Sequence, residues 1–440
     1  MSSDQVCVLG LGYIGLPTAS MLATHGMQVL GVDNNPDVVA TLNAGGLHVH
    51  EPGLAALVRS AVDSGNLRIG ASPEACAAFL IAVPTPFREG THAKIGDREY
   101  KLADLDAVCS AAESIVPHLR KGSLVIIEST CPVGTTAGVV APILERSGLK
   151  AGIDFHLCYS PERVLPGRIL TELIENARIM GGLTPACASA GAALYRRFVS
   201  GTILETNAPT AEMVKLMENT YRDVNIAIAN EFSRLADRNH VDVWEAIRLA
   251  NLHPRVRILN PGPGVGGHCI SVDPWFLVES APELTPLIFQ ARQVNDSQPE
   301  FVIARLKSMV GTLQKRTIAV LGLAYKADVD DVRESPAVRI AHLLEAEGAR
   351  LSIWEPFRAS GSVNGLELAP SLSAAMSSAD VVLLLVAHTA FRQLTPAAVA
   401  PMTSARLVLD TVNAWNGPEW SAAGFTVHRL GDGRVPIPSK

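Results

Sequence analysis

The stretch QVCVLGLGYIGLPTASMLATHGMQVLGVD, Gln5 to Asp33, leaves the chain little choice of local fold. It begins as a short apolar, β-branched run ending in glycine, the pattern of a strand buried in a parallel sheet. YIGLPTASMLATHG follows with helical spacing and stops at Gly26, where a C-cap is expected. MQVLGVD reads as a second strand that ends on Asp33. Strand, helix and strand make one βαβ unit.

The turn inside that unit carries chemistry. Gly10, Gly12 and Gly15 form GxGxxG between the strand and the helix. The first glycine permits the tight turn, the second lets backbone approach a pyrophosphate, and the third lets helix and strand pack closely. Asp33 follows about 20 residues on, where a carboxylate meets ribose hydroxyls. The same carboxylate repels a 2′-phosphate, which favours NAD over NADP. The competing reading is a glycine turn without a ligand.

Further strands are expected at AFLIAVPTP, SLVIIEST and HLCYSPE, with helical segments between them, and FREGTHAKIGDREYK reads as a polar, mobile loop. After Thr206 the character changes. One long helix is predicted from Thr210 to about His240, another at VDVWEAIRLAN, and a third over PLIFQARQVNDSQPEFVIARLKSMV, bent or broken near Pro299. At Thr317 the opening logic returns in TIAVLGLAYKADVDDVRESPAVRIAHLLEAEG, and RLSIWEP, DVVLLLVAH and RLVLDTVNAW read as strands. The expected fold class is therefore α/β: two Rossmann-like doubly wound domains, 1–206 and 313–440, joined by a central helical region, 207–312.

Composition narrows the partners. Of 440 residues 48% are hydrophobic and 18% charged, enough for packed cores, and the net charge of −6 comes with no basic block. Nucleic acid and anionic membrane are poor partners for such a surface. The N-terminal residues lack the features of a secretory signal, and apolar runs such as VVLLLVA are too short to span a bilayer. Seven cysteines without CxxC spacing imply thiols in a reducing cytoplasm, and no residue set is assigned to a metal.

Cys269 stands apart from the other cysteines. It lies in GPGVGGHCISVDP after Gly266 and Gly267, where a substrate can approach backbone closely, and a thiolate attacks carbonyl carbon well. An inert loop cysteine is the competing reading. His268 is a tempting base, but sequence neighbours usually point apart. Cys7, Cys109 and Cys158 read as core. On the long helix Lys215, Asn219 and Arg222 share one face, which is either functional or a solvated stripe. HPRVR from His253 adds cationic donors. The second glycine turn, LGLAYK, lacks the full fingerprint, which argues against a second dinucleotide. Lys326, Arg333 and Glu334 follow it; Lys and Arg near a helix start suit phosphate, and a solvated charge cluster is the competing reading.

Together GLGYIGLP, VPTP, ESTCPVGTT, SPERVLPG, AEMVKLMENTYRDVNIAIANE, HPRV, GPGVGGHCISVDP and GLAYKADVDDVRESPA resemble the UDP-glucose/GDP-mannose 6-dehydrogenase family along essentially the whole chain. SPERVLPG with HPRVRILNPGPGVGGHC is most similar to its bacterial UDP-N-acetyl-D-mannosamine branch. The resemblance implies oxidation of a sugar C6 alcohol to a carboxylate with two NAD and one water, through a thiohemiacetal and a thioester on Cys269. It implies that Asp273 orients water or tunes the thiol. Lys215 and Asn219 become proton-transfer and oxyanion groups, and Thr130 and Glu162 serve water positioning and acid/base work. Arg163, Val164, Arg222, His253, Arg255 and Gly266 become sugar contacts, Arg255 from a partner subunit. Tyr325, Lys326 and Arg333 are implied for the nucleotide-sugar site, and Tyr13, Ile14, Asp33, Thr85 and Thr130 for NAD. A homodimer built on the long helix, or a higher homo-oligomer, follows from the same likeness.

Three positions depart from the family pattern. Pro166 stands where UDP-glucose enzymes carry a second glutamate, which points to the N-acetylated branch. Ser271 replaces a common proline, and Val412 a common Arg or Lys. The expectation is a cytoplasmic UDP-N-acetyl-D-mannosamine 6-dehydrogenase that makes a uronic acid donor for surface polysaccharide. The alternatives are UDP-N-acetylglucosamine or UDP-glucose as substrate, a non-catalytic nucleotide-sugar binder, and a two-electron dehydrogenase with no use for the thiol.

Overall fold

A computed structural model describes residues 5–49, 51–95, 98–165, 167–267, 269–358, 361–415 and 417–434. Pro166 and His268 lie outside the described residues. The chain divides into two compact units, residues 1–218 with 275–284, and 219–274 with 285–440.

The first unit is built on an eight-stranded sheet. Its strands are β1 (Gln5–Leu9), β2 (Gln28–Val32), β3 (Leu67–Gly70), β4 (Ala78–Ile81), β7 (Leu124–Ile127), β8 (His156–Tyr159), β9 (Arg178–Gly182) and β10 (Ile203–Asn207), in the order β10-β9-β8-β7-β4-β1-β2-β3. Every pair is parallel except β8 with β9. Side chains alternate along a strand, so the sheet feeds two cores. Val6 and Val8 join one, with Leu16 and Leu22 of helix Gly15–Thr24. Cys7 and Leu9 join the other, with Val108 and Ile115 of helix Asp106–Ile115. This is why the strands read as continuous apolar runs.

One expectation fails here. The polar stretch expected to be a mobile loop is an antiparallel hairpin, β5 (Phe87–Ile95) with β6 (Arg98–Ala103). Its pairs are Lys94 with Glu99 and His92 with Lys101, and Lys101 Nζ sits 4.4 Å from the Phe87 ring centroid. Cross-strand charge and cation–π contacts hold it, so no apolar alternation marks it in sequence. Residues 275–284 belong to this unit too, and Ala103 N–H donates to Glu279 Oε2 at 2.8 Å.

The second unit carries a five-stranded parallel sheet, β11 (Thr317–Leu321), β12 (Arg350–Trp354), β15 (Val381–Leu384), β16 (Leu407–Asp410) and β17 (Thr426–Arg429), ordered β12-β11-β15-β16-β17. A small hairpin, β13 (Ser362–Val363) with β14 (Leu366–Glu367), lies beside it in sequence. Ile318 and Val320 enter one core, Ala319 and Leu321 the other. Helices Pro286–Asp296 and Gln298–Val310 break at Ser297, with Pro299 in the first turn of the second, where its missing N–H costs nothing.

The long helix runs Ala208–Asn239, two residues earlier than Thr210. Its polar residues Glu212, Lys215, Asn219, Asp223, Asn230, Ser233 and Asp237 are buried. Of its large apolar residues, Met213, Met217, Tyr221, Ile228, Phe232 and Leu235 are exposed, while Leu216 is buried. The solvated-stripe reading of Lys215 and Asn219 therefore does not hold.

Candidate active site

The glycine turn of the first unit fits a dinucleotide. Gly10 has φ +88°, and a Cβ there would stand 2.6 Å from the Ala82 carbonyl oxygen. A Cβ on Gly15 would stand 1.8 Å from the Gly10 carbonyl oxygen, so only glycine lets the helix begin where it does. At Gly12 a Cβ would meet nothing within 4 Å, which leaves room beside a helix N-terminus that no side chain caps. Asp33 is half-buried at the end of β2. Its Oδ2 accepts from Leu11 N–H and its Oδ1 from Asn35 N–H, both at 2.9 Å. A carboxylate held in this way beside the turn suits ribose hydroxyls. Residues Gly10 to Gly15 with Asp33 would hold NAD; Tyr13, Ile14, Thr85 and Thr130 are half-buried.

The ends of β7, β8 and β9 bring charge into the same unit. Glu162 Oε1 accepts from the N–H groups of Arg163, at 2.6 Å, and Val164, at 3.0 Å. Its Oε2 accepts from Arg178 at 2.8 Å, and its carbonyl oxygen accepts from Lys215 Nζ at 2.7 Å. Arg178 also lies 3.7 Å from Glu128, which Tyr195 Oη hydrogen-bonds. Burial pushes the Glu128 carboxyl up to about 7, against the pull of Arg178. Arg163 is exposed and pairs with Glu218 at 2.6 Å. Glu162 thus has both oxygens committed to fixed donors, and its carbonyl sets the Lys215 ammonium.

In the second unit Asn219 Nδ2 donates to Asp273 Oδ2 at 2.5 Å. Asp273 opens helix Asp273–Ser280, and its N–H donates to the Cys269 carbonyl at 2.8 Å. Cys269 is exposed; Cys109 is half-buried and the other five cysteines are buried. Ser271 Oγ donates to the Gly267 carbonyl at 2.5 Å, a tie that proline could not make. A Cβ on Gly266 would stand 2.5 Å from the Glu334 carbonyl oxygen, so the loop and residues 325–336 pack backbone against backbone. Gly267 N–H donates to the Arg333 carbonyl at 3.2 Å.

The structure thus brings Glu162, Arg163, Val164 and Lys215 together in one unit, and Asn219, Cys269 and Asp273 in the other. Tyr325, Lys326 and Arg333 share one loop; Arg333 is exposed and makes a two-pronged pair with Asp331, at 2.8 and 2.6 Å. Arg222, His253 and Arg255 are exposed. Val412 is half-buried, and its N–H donates to Asp410 at 2.9 Å. Glu128, Arg178 and Tyr195 escaped the sequence reading. Their one signal was a charge at the end of each of two strand segments, SLVIIE and RIMGG.

A dinucleotide cradle in one α/β unit and a thiol loop packed on a second define the class: an NAD-dependent oxidoreductase. Residues 4–199, 209–297 and 319–417 match, in order, the NAD binding, central and UDP binding domains of the UDP-glucose/GDP-mannose dehydrogenase family. The UDP-N-acetyl-D-mannosamine dehydrogenase of Yersinia pestis is 46% identical over 433 residues, covering 94% of this chain and 100% of that one. The NDP-N-acetyl-D-galactosaminuronic acid dehydrogenase of Ralstonia solanacearum is 45% identical over 427 residues, covering 95% and 97%. The solved UDP-D-ManNAc dehydrogenase of Pyrococcus horikoshii superposes with a TM-score of 0.87 at 37% identity, covering 98% and 100%. The chain belongs to the UDP-glucose/GDP-mannose dehydrogenase family and is an NAD-dependent nucleotide-sugar dehydrogenase.

Proposed function

We propose that the chain oxidises the C6 alcohol of UDP-N-acetyl-D-mannosamine to the carboxylate, giving UDP-N-acetyl-D-mannosaminuronate for surface polysaccharide. The observation that carries this reading is Cys269, an exposed thiol in a glycine loop whose next helix starts on an aspartate held by Asn219. Bound NAD supplies the hydride acceptor, used twice per sugar. Lys215, whose ammonium the Glu162 carbonyl fixes, takes the proton balance and stabilises the developing oxyanion with Asn219. At the aldehyde level Cys269 Sγ adds to C6. The thiohemiacetal so formed is oxidised to a thioester. One water then releases the carboxylate and restores the thiol. Thr130 and Glu162 act in placing that water, and Asp273 orients the thiol side of the site.

The division of labour follows the sequence: 1–206 for NAD, 207–312 for the thiol loop and dimer helix, 313–440 for the UDP-sugar. Arg163, Val164, Arg222, His253, Arg255 and Gly266 are assigned to the sugar, and Tyr325, Lys326 and Arg333 to the nucleotide. The exposed apolar stripe of the long helix supports a homodimer. Cysteines without a disulfide support a reducing, cytoplasmic setting, and no helix among the described residues is long and apolar enough to cross a membrane. The Ralstonia relative favours a second reading, in which the N-acetylated sugar has another configuration.

The test is NADH formed per sugar consumed, with UDP-ManNAc, UDP-GalNAc, UDP-GlcNAc, UDP-glucose and GDP-mannose in parallel. Two NADH with UDP-ManNAc preferred is the expected result. One NADH removes the covalent route. Another preferred sugar replaces the substrate, and binding of these sugars without NADH favours a non-catalytic binder.

A further inference from the structure

The two glycine turns end in the same backbone arrangement and then diverge at one carboxylate. Gly10 N–H donates to the Val32 carbonyl at 2.8 Å, and Gly322 N–H to the Trp354 carbonyl at 3.0 Å. The residue after each acceptor strand is acidic, Asp33 in one case and Glu355 in the other. Asp33 is half-buried and takes one turn N–H. Glu355 is completely buried. Its Oε2 accepts from Leu323 N–H at 2.7 Å and Ala324 N–H at 3.1 Å, and its Oε1 from Phe357 N–H at 3.2 Å. It has turned inward to hold the turn, so it offers no oxygen to a ribose.

His388 completes the arrangement. It too is completely buried, its ring 5.1 Å from that of Phe357 and 5.5 Å from that of Phe391. Its Nε2 lies 3.2 Å from Glu355 Oε1, while its Nδ1 accepts from Asp328 N–H at 2.9 Å. The ring therefore carries its proton on Nε2 and spends Nδ1 on the loop. Asp328 is left-handed, φ 60°, without being glycine. Its carboxylate accepts from Thr389 N–H at 2.8 Å and Thr389 Oγ1 at 2.6 Å. A residue in this strained region persists only where its surroundings impose it. Here the imposing groups are His388 and Thr389. The loop they pin carries Tyr325, Lys326 and Arg333, and ends at Glu334, also left-handed at φ 50°, against Gly266.

We infer that Glu355 and His388 are a positioning pair that sets the nucleotide-binding loop 324–334 by way of Asp328. The inference rests on the proposed assignment of Tyr325, Lys326 and Arg333 to the nucleotide. Neither member touches substrate in this account. Their effect is on how Lys326 is presented, because a fixed loop loses no further freedom on binding.

The experiment uses the full chain and UDP as probe. Affinity for UDP and for NAD is measured by titration calorimetry in the parent, His388→Leu, His388→Asn and Lys326→Ala, with KM and kcat alongside. His388→Leu is expected to weaken UDP by about 10-fold, the worth of one or two lost hydrogen bonds, and to raise the sugar KM in step, with NAD affinity unchanged. His388→Asn places an acceptor near the Nδ1 position and is expected to recover most of that loss. A role in stability alone would lower the unfolding midpoint without moving UDP affinity. Unchanged UDP affinity in His388→Leu, with binding lost in Lys326→Ala, overturns the positioning pair and leaves the site assignment standing. Unchanged affinity in Lys326→Ala overturns the assignment, and the inference with it. Should His388→Leu fail to fold, His388→Phe, which keeps an aromatic ring beside Phe357 and Phe391 but offers no acceptor to Asp328, carries the same question: several-fold weaker UDP supports the pair, and parental affinity overturns it.

Discussion

Glu128 is a carboxyl completely buried beside Arg178 and Tyr195, pushed up from 4.5 to about 7 mainly by burial. An acid whose pKa is higher in the folded state contributes stability that is full below its unfolded value and is lost as pH rises through its folded one. The window is therefore pH 4.5 to about 7. Glu128→Gln removes the titration, so its stability relative to the parent should improve from pH 5 to pH 8 in denaturant unfolding. A difference that stays flat would mean that the group does not titrate there. At the proposed chemistry, Cys269→Ser should abolish carboxylate formation while NAD binding persists; carboxylate formed at the parental rate excludes the thioester. Lys215→Ala should lower kcat by about 10²–10⁴ if the ammonium serves proton transfer or the oxyanion. A loss of only a few-fold assigns Lys215 to packing.

The long helix inverts the usual amphipathic arrangement. Helices of soluble proteins bury an apolar stripe. This one buries Lys215, Asn219 and Asp223, and exposes Met217, Tyr221 and Phe232. The proposed homodimer would cover it with a second copy of the stripe. Tyr221→Glu with Phe232→Glu should shift the protein to a smaller species by light scattering, and an unchanged mass would remove the helix from the interface. The inversion also explains what sequence can and cannot reveal. Helix spacing around Lys215, Asn219 and Arg222 was readable, but a carboxamide or ammonium looks the same whether a network or water surrounds it. The apolar strands at Cys7, Phe79 and Ile126 were legible because both sheet faces are covered. The hairpin from Phe87 to Ala103 was not, since charge pairs and one cation–π contact stabilise it. Asp33 could be placed from its distance to Gly10. Glu355 could not, because its role depends on His388, a residue distant in sequence that the fold brings to it.

Each unit has an ionic lock of its own. In the second, buried Arg305 pairs with Asp432 at 2.6 Å and Asp237 at 3.1 Å, joining the long helix, helix Gln298–Val310 and the segment after β17. Burial raises Asp237 to about 6 even so. Arg305→Met takes the cation from two buried carboxylates, leaving them only hydrogen-bond donors such as the Gly433, Arg429 and Arg434 N–H groups, and should cost about 3–5 kcal/mol, with NAD affinity preserved. Equal loss of NAD affinity would show that the damage is not confined to that unit. The first unit has a different dependence. Its hairpin is tied through Ala103 to Glu279, in a segment that the chain reaches only after the thiol loop. On the ribosome, this tie therefore cannot form when the sheet itself has been made. It forms only after residues 275–284 emerge, by which time the long helix, Ala208–Asn239, has been made. Chain order thus makes this tie of the first unit a late one, formed from residues translated after part of the second unit.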